Sequence, residues 1–178
     1  EVMPDMHMPM YGQTRTGGLI ANDLFLGADS TLELVVDWYH LRSFADMEMT
    51  SKLPEVPDMY LLNLGDVRRD HFAGAVNYNR AVFSTVEWRL NMRFDLARHD
   101  IHDSMGRKQL AATWGYGELA QRYATLSAST AVAYMLNNAT EIRLSAASSA
   151  RLPTQIESYG FYLYNPKDGY FYMGNPTL

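Results

Sequence analysis

Polar and apolar positions alternate most regularly in VEWRLNMRFDLAR. Val86, Trp88, Leu90, Met92, Phe94 and Leu96 fall on one side, and Glu87, Arg89, Asn91, Arg93 and Asp95 on the other. Period two held over eleven residues predicts one long strand with a buried face and a wet face. The mixed signs on the wet face predict solvated or salt-bridged side chains, not an anion groove. Upstream, TLELVVDWYHL (Thr31 to Leu41) is rich in β-branched and aromatic residues, and MYLLNLGDV (Met59 to Val67) is apolar up to Gly65-Asp66. Both predict strands, the second ending at that Gly-Asp pair. AVNYNRAVF is expected to pair with the long strand or to continue it through a bend.

Past HDIHDS, where Asp103 or Ser104 is a candidate helix N-cap, the pattern changes. Tyr116, Leu119, Tyr123 and Leu126, and then Val132, Met135, Ala139, Ile142 and Ala146, recur at steps of three and four in an alanine-rich stretch. That spacing predicts a helix or a helix pair from about Met105 to Arg151, ended by Pro153. The tail SYGFYLYNPKDGYFYMG reads as a hairpin about 165–169 with aromatic flanks. Residues 1–30 hold Pro4, Pro9, Gly12, Gly17, Gly18 and Gly27 without sustained periodicity, which predicts an extended arm.

The pieces assemble into an α+β fold. An antiparallel sheet with one long strand packs against the alanine-rich helix or helix pair, forming a single domain over 31–178. The extended N-terminal arm over 1–30 and the C-terminal aromatic hairpin reach outward from it.

Composition narrows the function classes. The chain has 178 residues, enough for one sizeable core, with 47% hydrophobic and 12% aromatic residues. Net charge is −5, with the bases scattered, so nucleic acid is a poor partner. Charge is uneven: residues 1–70 carry 12 acids against 5 bases, and residues 71–178 carry 8 against 10. The two halves therefore attract, within a chain or between copies. Without cysteine there are no disulfides and no thiolate sites. No run approaches 18 apolar residues, so no helix is expected to span a bilayer, which predicts a soluble or peripheral protein. Glu1 in place of an initiator methionine is consistent with a removed signal peptide or propeptide, or with a longer parent chain.

Two clusters offer metal ligands. Met3, Met6, His7, Met8 and Met10 supply the soft thioether and imidazole set that suits copper. His99, Asp100, His102 and Asp103 supply imidazoles and carboxylates suited to zinc or another divalent ion, with an open position for water. Each has a plainer reading, a methionine-bearing arm docked on an apolar groove and a solvated turn that caps a helix. Gly115-Tyr116-Gly117 opens a G-x-G-x-x-A string that lacks the strand and the acidic residue of a nucleotide site. The serines Ser127, Ser129, Ser145, Ser148 and Ser149 lie in small-residue sequence without a nucleophile elbow. Asn138-Ala139-Thr140 matches a glycosylation sequon inside the predicted helix.

No catalytic motif stands out, and no cofactor is required. The arm, the overlong strand and the hairpin aromatics Tyr162, Tyr164, Tyr170 and Tyr172 suit a structural or assembly subunit of a larger complex. Such a subunit, of a virion, a tail-like particle or an envelope machine, would grip copies of itself or other subunits. The alternatives are a metal-dependent hydrolase or copper carrier, and a small-ligand domain with Trp88, Trp114 and Tyr123 lining its pocket.

Overall fold

The structure, a computed structural model, describes residues 5–115, 119–165 and 167–178; the side chains of 5–11 and of Tyr164 lie outside the described set. Six strands form one antiparallel meander in which each strand pairs with its sequence neighbours. They are β1 (Asp5–Phe25), β2 (Ser30–Thr50), β3 (Met59–Phe83), β4 (Val86–Ile101), β5 (Gln121–Asn137) and β6 (Thr140–Ser148). Helix α1 (Ser104–Trp114) joins β4 to β5, and a C-terminal segment carries the short helix α2 (Gln155–Tyr159) and a hairpin of β7 (Leu163–Asn165) and β8 (Tyr170–Tyr172).

The α+β expectation is overturned, because the sheet is not packed against a helix or helix pair. Residues 121–137 and 140–148 are strands β5 and β6. In β5, Leu126, Ala128, Thr130, Val132 and Tyr134 face one way and Tyr123, Thr125, Ser127 and Ser129 the other. Pairing with β4 selects this period of two over the competing steps of three and four, since an isolated strand pattern is decided by its neighbours. Residues 5–25, read as part of an arm, form a strand paired with β2 from Asp5 to Phe25. At Gly17 this pairing leaves no room for a side chain, because a Cβ there would collide with the backbone carbonyl oxygen of Trp38.

β3 continues through Gly65-Asp66 instead of ending there. Asp66 adopts a left-handed conformation with φ 46°, and the β2–β3 register shifts between Ser43 and Asp46 opposite it. The bulge bends the long strands. Beyond it lies the core, where Ala45, Leu64, Val67, Ile101, Leu110, Leu119, Tyr159 and Phe161 cluster. Helix α1 enters this core through Leu110 and is N-capped by Asp103, whose carboxylate accepts from Met105 and Gly106 N–H. The C-terminal hairpin forms where the sequence predicts it.

The connections differ at the two ends of the sheet. At one end the strands are joined by residues 26–29, 84–85 and 138–139; at the other by 51–58 and by 102–120, and β6 leads into the segment from 149 onward. The sequon therefore sits at a hairpin tip and not in a helix.

Candidate functional site

The register of β1 to β6 sorts side chains onto two faces. On the first, Gly18, Trp38, Phe72, Leu96 and Ala124 form one row across five strands, followed by Ile20, Val36, Gly74, Phe94 and Leu126. The next row is Asn22, Leu34, Val76, Met92, Ala128 and Ser148, and then Leu24, Leu32, Tyr78, Leu90, Thr130 and Ala146. Nearest the short turns, Trp88, Val132 and Leu144 align, as do Val86, Tyr134 and Ile142. Much of this face is uncovered, with Phe72 52% exposed, Phe94 46%, Leu126 56% and Leu144 77%, while Leu32, Val36, Tyr78, Trp88 and Leu90 are half-buried. The face of β4 expected to be buried is thus the open one.

One row beyond Trp38 and Phe72 the same face changes character. Thr16, His40, Asp70, Arg98 and Arg122 lie in register there. Within the apolar region Trp88 Nε1 donates to Thr130 Oγ1 at 2.9 Å, and that hydroxyl donates to Arg89 O.

The second face is polar and carries the densest charge network. Asp37 and Asp95 lie on either side of Ala73 in register, and Ala73 is fully buried. Arg93 bridges them, with Nη1 2.8 Å from Asp37 Oδ2 and Nη2 2.9 Å from Asp95 Oδ1. From the other side His71 Nε2 lies 3.0 Å from Asp95 and Nδ1 lies 3.6 Å from Asp37. Tyr39 stacks on His71 at 4.5 Å, and the guanidinium of Arg15 lies 4.2 Å over the Tyr39 ring. Toward the short turns follow Glu33 with Asn77 at 2.6 Å and Asn91 with Ser129 at 3.1 Å. The wet face predicted for β4 is this face, and its mixed charges are salt-bridged.

Toward the long connections the C-terminal segment closes over the polar face. Gln155 Nε2 donates to Val67 O and Leu41 O, and Gln155 Oε1 accepts from Ser43. Tyr159 Oη donates to Leu119 O and His99 O, and burial pushes its phenol well above the usual tyrosine range. The Tyr123 hydroxyl donates to Pro176 O, and Arg69 donates to Pro153 O. Thr154 and Glu157 make a capping box for α2. Arg151, hydrogen-bonded to Glu157, and the Thr154 N–H hold that carboxyl down at about 2.

The zinc-type cluster does not converge. His99 is wholly buried on the polar face, edge-on to Tyr123 at 5.0 Å, with neither ring nitrogen hydrogen-bonded among the described residues. Asp100 points to the opposite face, where it pairs with Arg107 at 2.9 Å and lies 3.8 Å from His102. Asp103 is committed to the α1 cap. Among the described residues no group of three or more His, Asp or Glu side chains is placed to hold an ion. Of the methionine cluster, Met3 lies outside the described residues. Met6, His7, Met8 and Met10 lie on β1, and their side chains are outside the described set. Tyr170 and Tyr172 are exposed, Tyr162 is partly so against Phe161 and Phe171, and the Tyr164 side chain is outside the described set. Trp88, Trp114 and Tyr123 share no cavity, since Trp88 is on the apolar face, Tyr123 on the polar one and Trp114 at the end of α1. Gly115 is the left-handed C-cap of α1, and residues 116–118 of the G-x-G string are outside the described set.

No protein-family model, curated protein or solved structure matches the chain. The two-faced sheet therefore stands on its own geometry. Sequence reasoning placed Arg93 and Asp95 together but missed Asp37 and His71, which only the strand register brings to them.

Proposed function

We propose that the six strands are a wall of a transmembrane β-barrel, with the apolar face toward lipid and the polar face toward an aqueous passage for polar solutes. One observation carries this reading: the exposed apolar face stops along a single row, at His40, Asp70, Arg98 and Arg122. A soluble monomer rarely exposes an apolar patch beyond about 300–600 Å², whereas lipid covers such a face without further protein. On β4 the apolar stretch runs from Val86 to Leu96. At about 3.3 Å per residue and a tilt near 45° this is a height of about 25 Å, the apolar band of a barrel wall. Short turns at one end and long connections at the other are the usual asymmetry of such barrels.

The expectation of a soluble or peripheral protein considered helices alone. No helix among the described residues is long and apolar enough to cross a membrane, but a strand crosses with about 9–11 residues.

β1 and β6 each keep one unpaired edge in the described sheet, and the smallest barrels of this class have about eight strands. Closure takes strands beyond these six. That favours a related reading, an assembly subunit whose neighbours add strands at the edges and meet the exposed Tyr170 and Tyr172.

The deciding test is tryptophan quenching of the chain folded into bilayers. With Trp38 and Trp114 changed to phenylalanine, Trp88 is expected to be quenched by acyl-brominated lipid and shielded from acrylamide. A variant keeping only Trp114 is expected to behave oppositely. A water-soluble particle in which Trp88 ignores brominated lipid overturns the membrane reading and leaves the apolar face to protein neighbours.

A further inference from the structure

Where the apolar face ends, a cavity of about 550 Å³ opens across β2 to β5. Trp38, Phe72 and Leu96 line its apolar side, and His40, Asp70, Arg98 and Arg122 its polar side. Arg98 and Arg122 are direct cross-strand partners. Two like charges placed opposite each other on one face destabilise a sheet unless something of opposite sign lies between them. Asp70, the neighbour of Arg98 on β3, is hydrogen-bonded to His40 at 2.8 Å. Asp100 reaches Arg98 only at 4.0 Å and is held by Arg107 at 2.9 Å. Arg122 has no carboxylate partner among the described residues. Among the described residues the pair is thus short of negative charge, and it faces outward at the edge of an apolar surface.

Resting on the barrel reading, we infer that this notch binds the phosphate headgroup of an anionic lipid, with Arg98 and Arg122 as the fork and the acyl chain laid along Trp38, Phe72 and Leu96. Planar guanidinium groups present parallel N–H donors that match phosphate oxygens. The apolar rows below supply a surface that a free anion would leave unused. Charge and apolarity meet here in the order in which a lipid presents them, and the occupant is therefore a lipid and not a soluble phosphate compound.

The test is native mass spectrometry of the full chain released from neutral detergent with phosphatidylglycerol added, beside Arg98→Gln/Arg122→Gln. The unmodified chain is expected to retain one phosphatidylglycerol against a background of neutral lipid. The double variant should weaken that binding by at least about tenfold, the effect of losing one charge-assisted hydrogen bond or more. Trp88 quenching by brominated lipid, read on the same samples, separates the two ideas. Normal quenching with unchanged phosphatidylglycerol retention in the variant overturns the headgroup site and leaves the barrel intact. Loss of quenching in the unmodified chain overturns the barrel reading itself. Displacement of the bound lipid by excess inorganic phosphate would show a free-anion site and overturn the lipid assignment.

Discussion

Arg93 is the residue on which the polar face turns. It donates to Asp37 and Asp95 together, and His71 completes the ring from above. Arg93→Ala would leave two carboxylates facing each other across Ala73 with only the imidazole between them. Removing one partner of a fully buried pair costs about 3–5 kcal/mol. The Arg93 side chain is 40% exposed, so about 2 kcal/mol is expected here, read as a drop in the urea midpoint in micelles. A change below about 0.5 kcal/mol would mean that water already screens the carboxylates. The sequence made half of this network visible, since alternation in β4 put Arg93 and Asp95 on one face. Asp37 and His71 lie 56 and 24 residues from Arg93 and Asp95 respectively, and nothing local ties them to β4. Only the pairing of Asp37 with Ala73, and of Ala73 with Asp95, brings them in.

At the scale of elements, β4 was legible because from Val86 to Leu96 each apolar residue is sizeable and each polar neighbour is charged or amide-bearing. β5 and β6 were not, because Ala124, Ala128, Ala131 and Ala133 blur the contrast that separates a period of two from steps of three and four. The C-terminal hairpin was read from its turn chemistry, and the α1 cap from Asp103. The two faces of β4 give the sharpest test. Under the barrel reading Met92→Arg puts a cation against lipid and is expected to cost about 2–4 kcal/mol, while Asn91→Arg, one residue away on the polar face, should cost little. Urea titration in micelles compares them directly, and equal effects would contradict a lipid-facing apolar side. The C-terminal segment has its own handle. Glu157 titrates lower in the folded chain than its ordinary value, so its contribution is complete above the usual glutamate range and is lost as pH falls toward about 2. Limited acid proteolysis should therefore find residues 149–178 docked at pH 5 and progressively released below about pH 4. Glu157→Gln should remove that pH dependence, and deleting the Arg151 partner should reduce it without abolishing it, because the Thr154 N–H still favours the carboxylate.

For the whole molecule, the open edges of β1 and β6 set the requirement. Unpaired backbone groups along an edge have no acceptable partner in hydrocarbon, so a barrel admits no free edge. The chain alone in micelles is accordingly expected to run as two or more copies per particle by light scattering. A strict monomer with exchanging amides along β1 and β6 would speak against closure by self-pairing. The architecture itself was the least legible level, because a strand wall and a soluble sheet share the same alternation. What separates them is which side is left uncovered, and that depends on how six segments align.

The meander has a kinetic consequence. Every strand pairs with the one before it, and three of the connections are only a few residues long. Closing such hairpins sacrifices little chain entropy, so each can zip soon after its turn forms. The slow events are then the contacts that join distant parts of the molecule: the docking of the C-terminal segment, where Gln155 meets Ser43, and, under the barrel reading, the seam where β1 and β6 meet whatever completes the ring. If the strands close into a barrel, that seam is expected to form last and open first, and to set the lifetime of the assembled wall.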